Sequence, residues 1–260
     1  MFEDKKVLVI VKTAPNIISK QREVVCTAGI DENGKWIRLY PIEFRDLPFN
    51  KRFDKFQYIK VKAIRDTSDI GKRPDSYKVQ QDSITPLEGL RTMRDWNEIN
   101  KLFLPTISKS LEDLYDQKDE SGKSLGAFMP KEILNFEIKD VKDRKKLAKG
   151  TGIQPSLFNQ KKDLLKRPPY EFVYTFSCND MRCKVPHKMN FIAWEVMESA
   201  RQYMVIYGDE WKSKLTQRFW NFLFKQRKTY FVLGTNALSG KFMLIGYYSP
   251  NRNIIQETLF

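Results

Sequence analysis

Cysteine and histidine are scarce in this chain, with three of the first and one of the second among 260 residues. So few cysteines exclude a disulfide-stapled secreted scaffold. A single histidine argues against a Ser/His/Asp or Cys/His catalytic arrangement if that side chain has another use. Apolar runs are short, and none approaches the ~18 residues of a membrane-spanning helix. No apolar leader opens the chain, so the expectation is a protein of the reducing cytoplasm. No glycine-rich loop matches a P-loop or dinucleotide fingerprint, which argues against kinase, NTPase and dehydrogenase chemistry.

Positive charge is plentiful. Lys and Arg number 46 against 32 acidic residues, a net +14. A polyanionic partner, DNA or RNA, is the leading inference, and a merely solubilising charge is the alternative. The excess is local. Residues 141–168 hold nine Lys or Arg, among them Lys145, Lys146, Lys162 and Arg167, against two Asp, a net +7. Residues 211–228 add six basic side chains and no acidic one.

Taken in order, residues 6–13 (KVLVIVKT) read as a buried strand, and residues 23–30 and 35–40 as a hairpin around Asn33-Gly34, whose glycine supplies the positive φ of a tight turn. In the second arm Trp36, Arg38 and Tyr40 share one face. That face either stacks bases or is a half-buried strand with a snorkelling arginine. Residues 56–65 form a further strand, which suggests a small curled sheet or barrel. Helices are expected over 87–104 and 108–116, and a strand over 133–141. The segment 141–169 reads as a basic linker. After it come a strand (170–178), helices (190–207 and 211–226) and a hairpin (229–235 with 241–249). On a 100° wheel Trp211, Leu215, Phe219, Phe222 and Leu223 form the apolar face of the last helix, with Lys214, Arg218 and Lys225 striped beside it.

The residues 26–30 (CTAGI), a turn, then 34–41 (GKWIRLYP) resemble the opening of uncharacterised bacterial proteins described as containing paired oligonucleotide-binding-type barrels. The resemblance covers about 40 residues and departs in the Leu39-Tyr40-Pro41 that follows Arg38. It implies a nucleic-acid-binding barrel.

Cys178, Cys183 and His187 gather at the end of a strand, where thiolates and imidazole suit a zinc ion. The alternative is two unrelated buried cysteines and a capping histidine. Cys26 would complete a closed tetrahedral set from the other half; Asp180, Glu195 or water would serve otherwise. An open position would let the metal activate water. Glu195 beside Trp194, Asp75 beside Ser76 and Tyr77, and Asp209 beside Glu210 are the carboxylates available to a nuclease or to a glycosylase excising a modified base. Surface or capping roles are their ordinary alternatives.

The expectation is therefore an α+β protein: a β-rich, barrel-like module (1–140), a basic linker (141–169), and a C-terminal α+β module (170–260) with a Cys/His knuckle holding a structural rather than catalytic zinc. Its expected function is DNA or RNA backbone recognition, through Arg38, the linker cations and the Lys214, Arg218, Lys225 stripe. A DNA- or RNA-processing enzyme is the rival.

Overall fold

Strict alternation in the first strand sets the layering of the molecule. The structure, a computed structural model, describes residues 1–18, 22–69, 71–87, 96–141 and 168–250. In β1 (Glu3–Lys12) Val7 and Val9 point into one apolar cluster and Leu8 and Ile10 into another, and all four are fully buried. A strand buried on both faces belongs between two layers.

The N-terminal strands that follow are β2 (Asn16–Ile18), β3 (Arg22–Asp31), β4 (Trp36–Ile42), β5 (Tyr58–Arg65), β6 (Ser76–Val79) and β7 (Thr85–Pro86). β1 pairs with β3 and β5, β3 with β4, β4 in parallel with β6, and β6 with β5, which closes a five-stranded barrel. The short β2 and β7 extend its edges. Gly34, at φ 72°, turns the expected hairpin, and Asp31 accepts the amides of Asn33 and Lys35 there. Phe53, Ile59, Val61 and Ile84 join Val7 and Val9 in the barrel interior.

Helix α1 (Trp96–Phe103) leads to the C-terminal part: β8 (Ile107–Ser108), α2 (Leu111–Ser121), β9 (Leu125–Phe128), β10 (Glu132–Asp140), β11 (Tyr170–Ser177), β12 (His187–Asn190), α3 (Trp194–Tyr207), α4 (Trp211–Thr216), β13 (Tyr230–Thr235) and β14 (Phe242–Tyr248). β10 pairs with β11, β11 with β12, β14 with β13, and β13 with β9, all antiparallel. Just past β12, Phe191 bridges Leu244 of β14 in parallel. With β9 and β10 counted as one strand broken at Pro130, the order of pairing is first, second, third, fifth, fourth, and back to the first. The N-terminal barrel has the same order. Here the helices lie between the third and fourth strands, and their residues Val196, Ala200, Leu215, Phe219 and Leu223 fill the second core with Phe172, Tyr174, Phe176 and Phe231.

The third cluster lies between the two halves. Leu8, Ile10, Ala28, Ile30 and Trp36, from the outer face of β1, β3 and β4, meet Leu125, Ala127, Val232, Ile245 and Tyr248 from β9, β13 and β14, with α1 at the rim. Backbone joins them too, since the Ala14 amide donates to Ile192 at 2.7 Å. The approach is close enough to require glycine, because a Cβ on Gly246 would sit 2.2 Å from a Val11 methyl.

Several expectations shift. β9 and β10, grouped by the sequence with the N-terminal half, pair with C-terminal strands across the 141–169 segment. β6 and β12 were not anticipated, because two- to four-residue pairings leave little periodic signal. With β12 in place, α3 begins at Trp194 rather than at 190. Of the helix expected over 87–104, residues 88–95 lie outside the described residues, and α1 occupies the end.

Candidate metal centre and basic helix

Ser110 caps α2 by accepting the Asp113 amide at 3.0 Å, which places Glu112 in the first turn beside the β11–β12 connection. The Ser110 hydroxyl also donates to Asp180 at 2.8 Å, so the cap anchors that connection. Arg182 grips Asp180 through both oxygens and reaches Asp116, which holds the Asp180 carboxyl well below the usual carboxylate range.

Within this frame the potential ligand atoms of Glu112, Cys178, Cys183 and His187 lie within 4.8 Å of one another. His187 Nε2 is 2.8 Å from Glu112 Oε1 and 3.3 Å from Cys183 Sγ. The Cys178 amide donates to Cys183 Sγ at 3.4 Å. Burial, with Glu112 and Cys183 adding to it, pushes the Cys178 thiol up to about 12, against a lowering by the Leu111 amide. Glu112 Oε2 is buried without a hydrogen-bond partner. Two thiols, an imidazole and a carboxylate crowded around one point, with an orphaned carboxylate oxygen, fit a cation. A tetrahedral shell with bonds of about 2.0–2.3 Å needs small adjustments of these atoms, the imidazole and carboxylate parting slightly. The four can hold a metal ion.

Sequence reasoning found three of these ligands and missed Glu112, whose only local signal is its place behind a capping serine. Cys26 lies elsewhere, in β3, with its sulfur 3.4 Å from Arg38 Nη1. Asp180 is engaged by Arg182 and Ser110, and Glu195 by Lys55 at 2.8 Å. Asp75 accepts both the amide and the hydroxyl of Ser124, and Asp209 is exposed after α3. The three carboxylates considered for catalysis therefore share no partner.

Arg38 is 4% exposed and donates to Ser124 O at 3.1 Å and Oγ at 3.0 Å, across the seam between the halves. Trp36 and Tyr40 flank it as expected, but Trp36 packs edge-on to Phe103 at that seam. Lys145, Lys146, Lys162 and Arg167 lie outside the described residues.

The other basic stretch runs along α4 and the π-helix that continues it, Gln217–Lys225. Leu215, Phe219 and Leu223, four apart, are buried in line. Arg218 and Lys225 are exposed, and Lys214 is half-exposed beside Glu210 at 3.7 Å. At the start of α4, Lys212 stands over the Tyr170 ring at 4.8 Å and lies 3.7 Å from Asp140, so this helix abuts both roots of the basic segment. Ile138, Ser213, Thr216, Gln217 and Asn221 line an open polar groove there. Trp220 and Phe224 are half-buried against the core, whereas Phe222, assigned to the apolar face by an α-helical wheel, is 40% exposed.

Residues 107–260 match a family described as a domain of unknown function, DUF8757. The chain belongs to the DUF8757 family. Ahead of that span, residues 3–105 match a second domain of unknown function, DUF8758. The two matches meet between α1 and β8, where the strand pairing also divides. No curated protein matches the chain. Among solved structures, a murine DNA-binding protein bound to double-stranded DNA aligns over 96% of each chain at 11% identity and a TM-score of 0.30, too low to carry an argument. No helix among the described residues is long and apolar enough to cross a membrane.

Proposed function

We propose that this DUF8757 chain binds nucleic acid along the basic helix of its C-terminal half and the segment rooted beside it, with a structural zinc at Glu112, Cys178, Cys183 and His187. The observation that carries the reading is the 211–228 stretch, six Lys or Arg with no acid, set against the roots of a segment of net +7. Two of these cations, Lys212 and Lys214, lie 3.7 Å from Asp140 and Glu210, and the stretch as a whole keeps an excess of positive charge to offer phosphates beside the roots of the second basic run.

The strand order supports it. A five-stranded Greek-key barrel of the oligonucleotide-binding type engages its ligand with the second and third strands and with the loops between strands one and two and between four and five. In the second barrel the basic 141–169 segment is what connects strands one and two. In the first barrel the outer face of β3 and β4 packs in the seam, so the C-terminal barrel is the one left to bind.

Zinc is the metal these donors favour, because it takes thiolate, imidazole and carboxylate tetrahedrally. Four protein ligands leave no open position, which makes the ion a clasp between α2 and the β11–β12 hairpin. Elemental analysis should find one zinc per chain in the wild type and in Cys26→Ser, and a loss in Cys178→Ser; zinc lost equally on Cys26→Ser contradicts this ligand set.

Charge reversal of Lys214, Arg218 and Lys225 together tests the binding face. Affinity for labelled DNA or RNA should fall at least tenfold, on the scale of several phosphate contacts, with the thermal transition little moved. Unchanged affinity sinks the face.

A further inference from the structure

The π-helix is a costly way to continue α4, and its effect is specific. Residues 217–225 wind with hydrogen bonds five residues apart, a geometry rare in proteins and concentrated at functional sites. On α-helical winding Phe222 falls on the same face as Leu215 and Phe219. On the wider winding those two stay buried and Phe222 turns outward, 40% exposed, into a stretch that carries no acidic residue. The guanidinium of Arg227 lies 4.7 Å from the Phe222 ring centroid, and the ammonium of Lys225 lies 5.7 Å from that of Trp220. Arg218, one turn before Phe222, is exposed and reaches the Tyr203 hydroxyl at 3.5 Å.

From this we infer that the π-helix is a stacking platform for single-stranded nucleic acid, with Phe222 receiving a base and Arg218, Lys225 and Arg227 contacting the backbone around it. The inference rests on the nucleic-acid reading above and deepens it by naming the class of strand. An aromatic ring accepts the π-face of any unpaired base, whereas in a duplex those faces are covered by neighbouring base pairs. Cations flanking the ring add attraction to both base and phosphate. A surface that recognised only phosphate would gain nothing from an exposed phenyl group or from the winding that presents it.

The experiment compares labelled oligothymidylate with a labelled duplex by fluorescence anisotropy, using wild type, Phe222→Leu and Phe222→Tyr. Leucine keeps apolar bulk without a stacking face, and tyrosine restores the face. Wild type should prefer the single strand; Phe222→Leu should weaken that binding about tenfold while leaving the duplex unchanged; and Phe222→Tyr should recover it. Equal affinity for both forms, or a Phe222→Leu variant that binds single strands like wild type, overturns the platform while leaving nucleic-acid binding intact. Failure of the wild type to bind either form overturns both. Circular dichroism of each variant separates lost stacking from lost folding.

Discussion

Lys12 leaves the end of β1 into a box of rings. Its ammonium donates to the Phe53 carbonyl at 2.7 Å and lies 3.8 Å from the Phe44 centroid, with Trp194 beyond. Burial pulls it from 10.5 down to about 8, against Asp54 and Glu195, which favour the charge, and with Lys55, which opposes it. A folded-state value below the unfolded one means that the unfolded chain holds the extra proton between those limits, so stability rises with pH across that window. Relative to Lys12→Met, the wild type should gain on the order of 2 kcal/mol between about pH 8 and pH 10.5, read by urea unfolding. A gap that does not change with pH contradicts the burial of this amine. The candidate metal site shows what single residues reveal. Cys178, Cys183 and His187 stood out because soft ligands are rare in this chain, whereas Glu112 is one of 32 acidic residues and reaches the site only through the packing of α2 on the hairpin.

Among the elements, the hairpins were legible wherever local chemistry decided them. Asn33-Gly34 fixes the turn between β3 and β4, and alternation fixes β5, β10 and β11. β6, β9 and β12 were not, because four residues fit either period and their partners are distant in sequence. The winding of 217–225 was also invisible, since a wheel assumes its own period. Glycine in β14 has a consequence that no strand pattern discloses. Gly246→Ala would drive a methyl into Val11 across the seam, and overpacking of that kind should cost about 1–3 kcal/mol. The midpoint of chemical denaturation measures it; an unchanged midpoint means that the two sheets can separate at that point.

On the scale of the whole molecule, two units with one strand order stand against each other through the outer face of β1, β3 and β4. That seam absorbs Arg38, Trp36 and the polar set of Asp75 and Ser124, residues that look available for recognition when strands are read singly. Under the proposed function, the surface left for a polyanion is the end of the C-terminal unit where α4 carries its cations past Asp140 and Tyr170, at the opposite end of β11 from the candidate metal site. The net +14 is therefore concentrated rather than general, and its distribution was legible in the sequence even though the surface it forms was not. Binding dominated by released counterions depends steeply on salt, in proportion to the phosphates neutralised. The most direct measurement is the slope of log affinity against log salt for a labelled oligonucleotide, with wild type and with Lys214, Arg218 and Lys225 all changed to Glu. The wild type should bind with a steep negative slope, and the variant should lose about 2 units of it, three contacts at about 0.7 each for a single strand. No binding at low salt, or a slope that the substitutions leave unchanged, would contradict nucleic-acid recognition by this face.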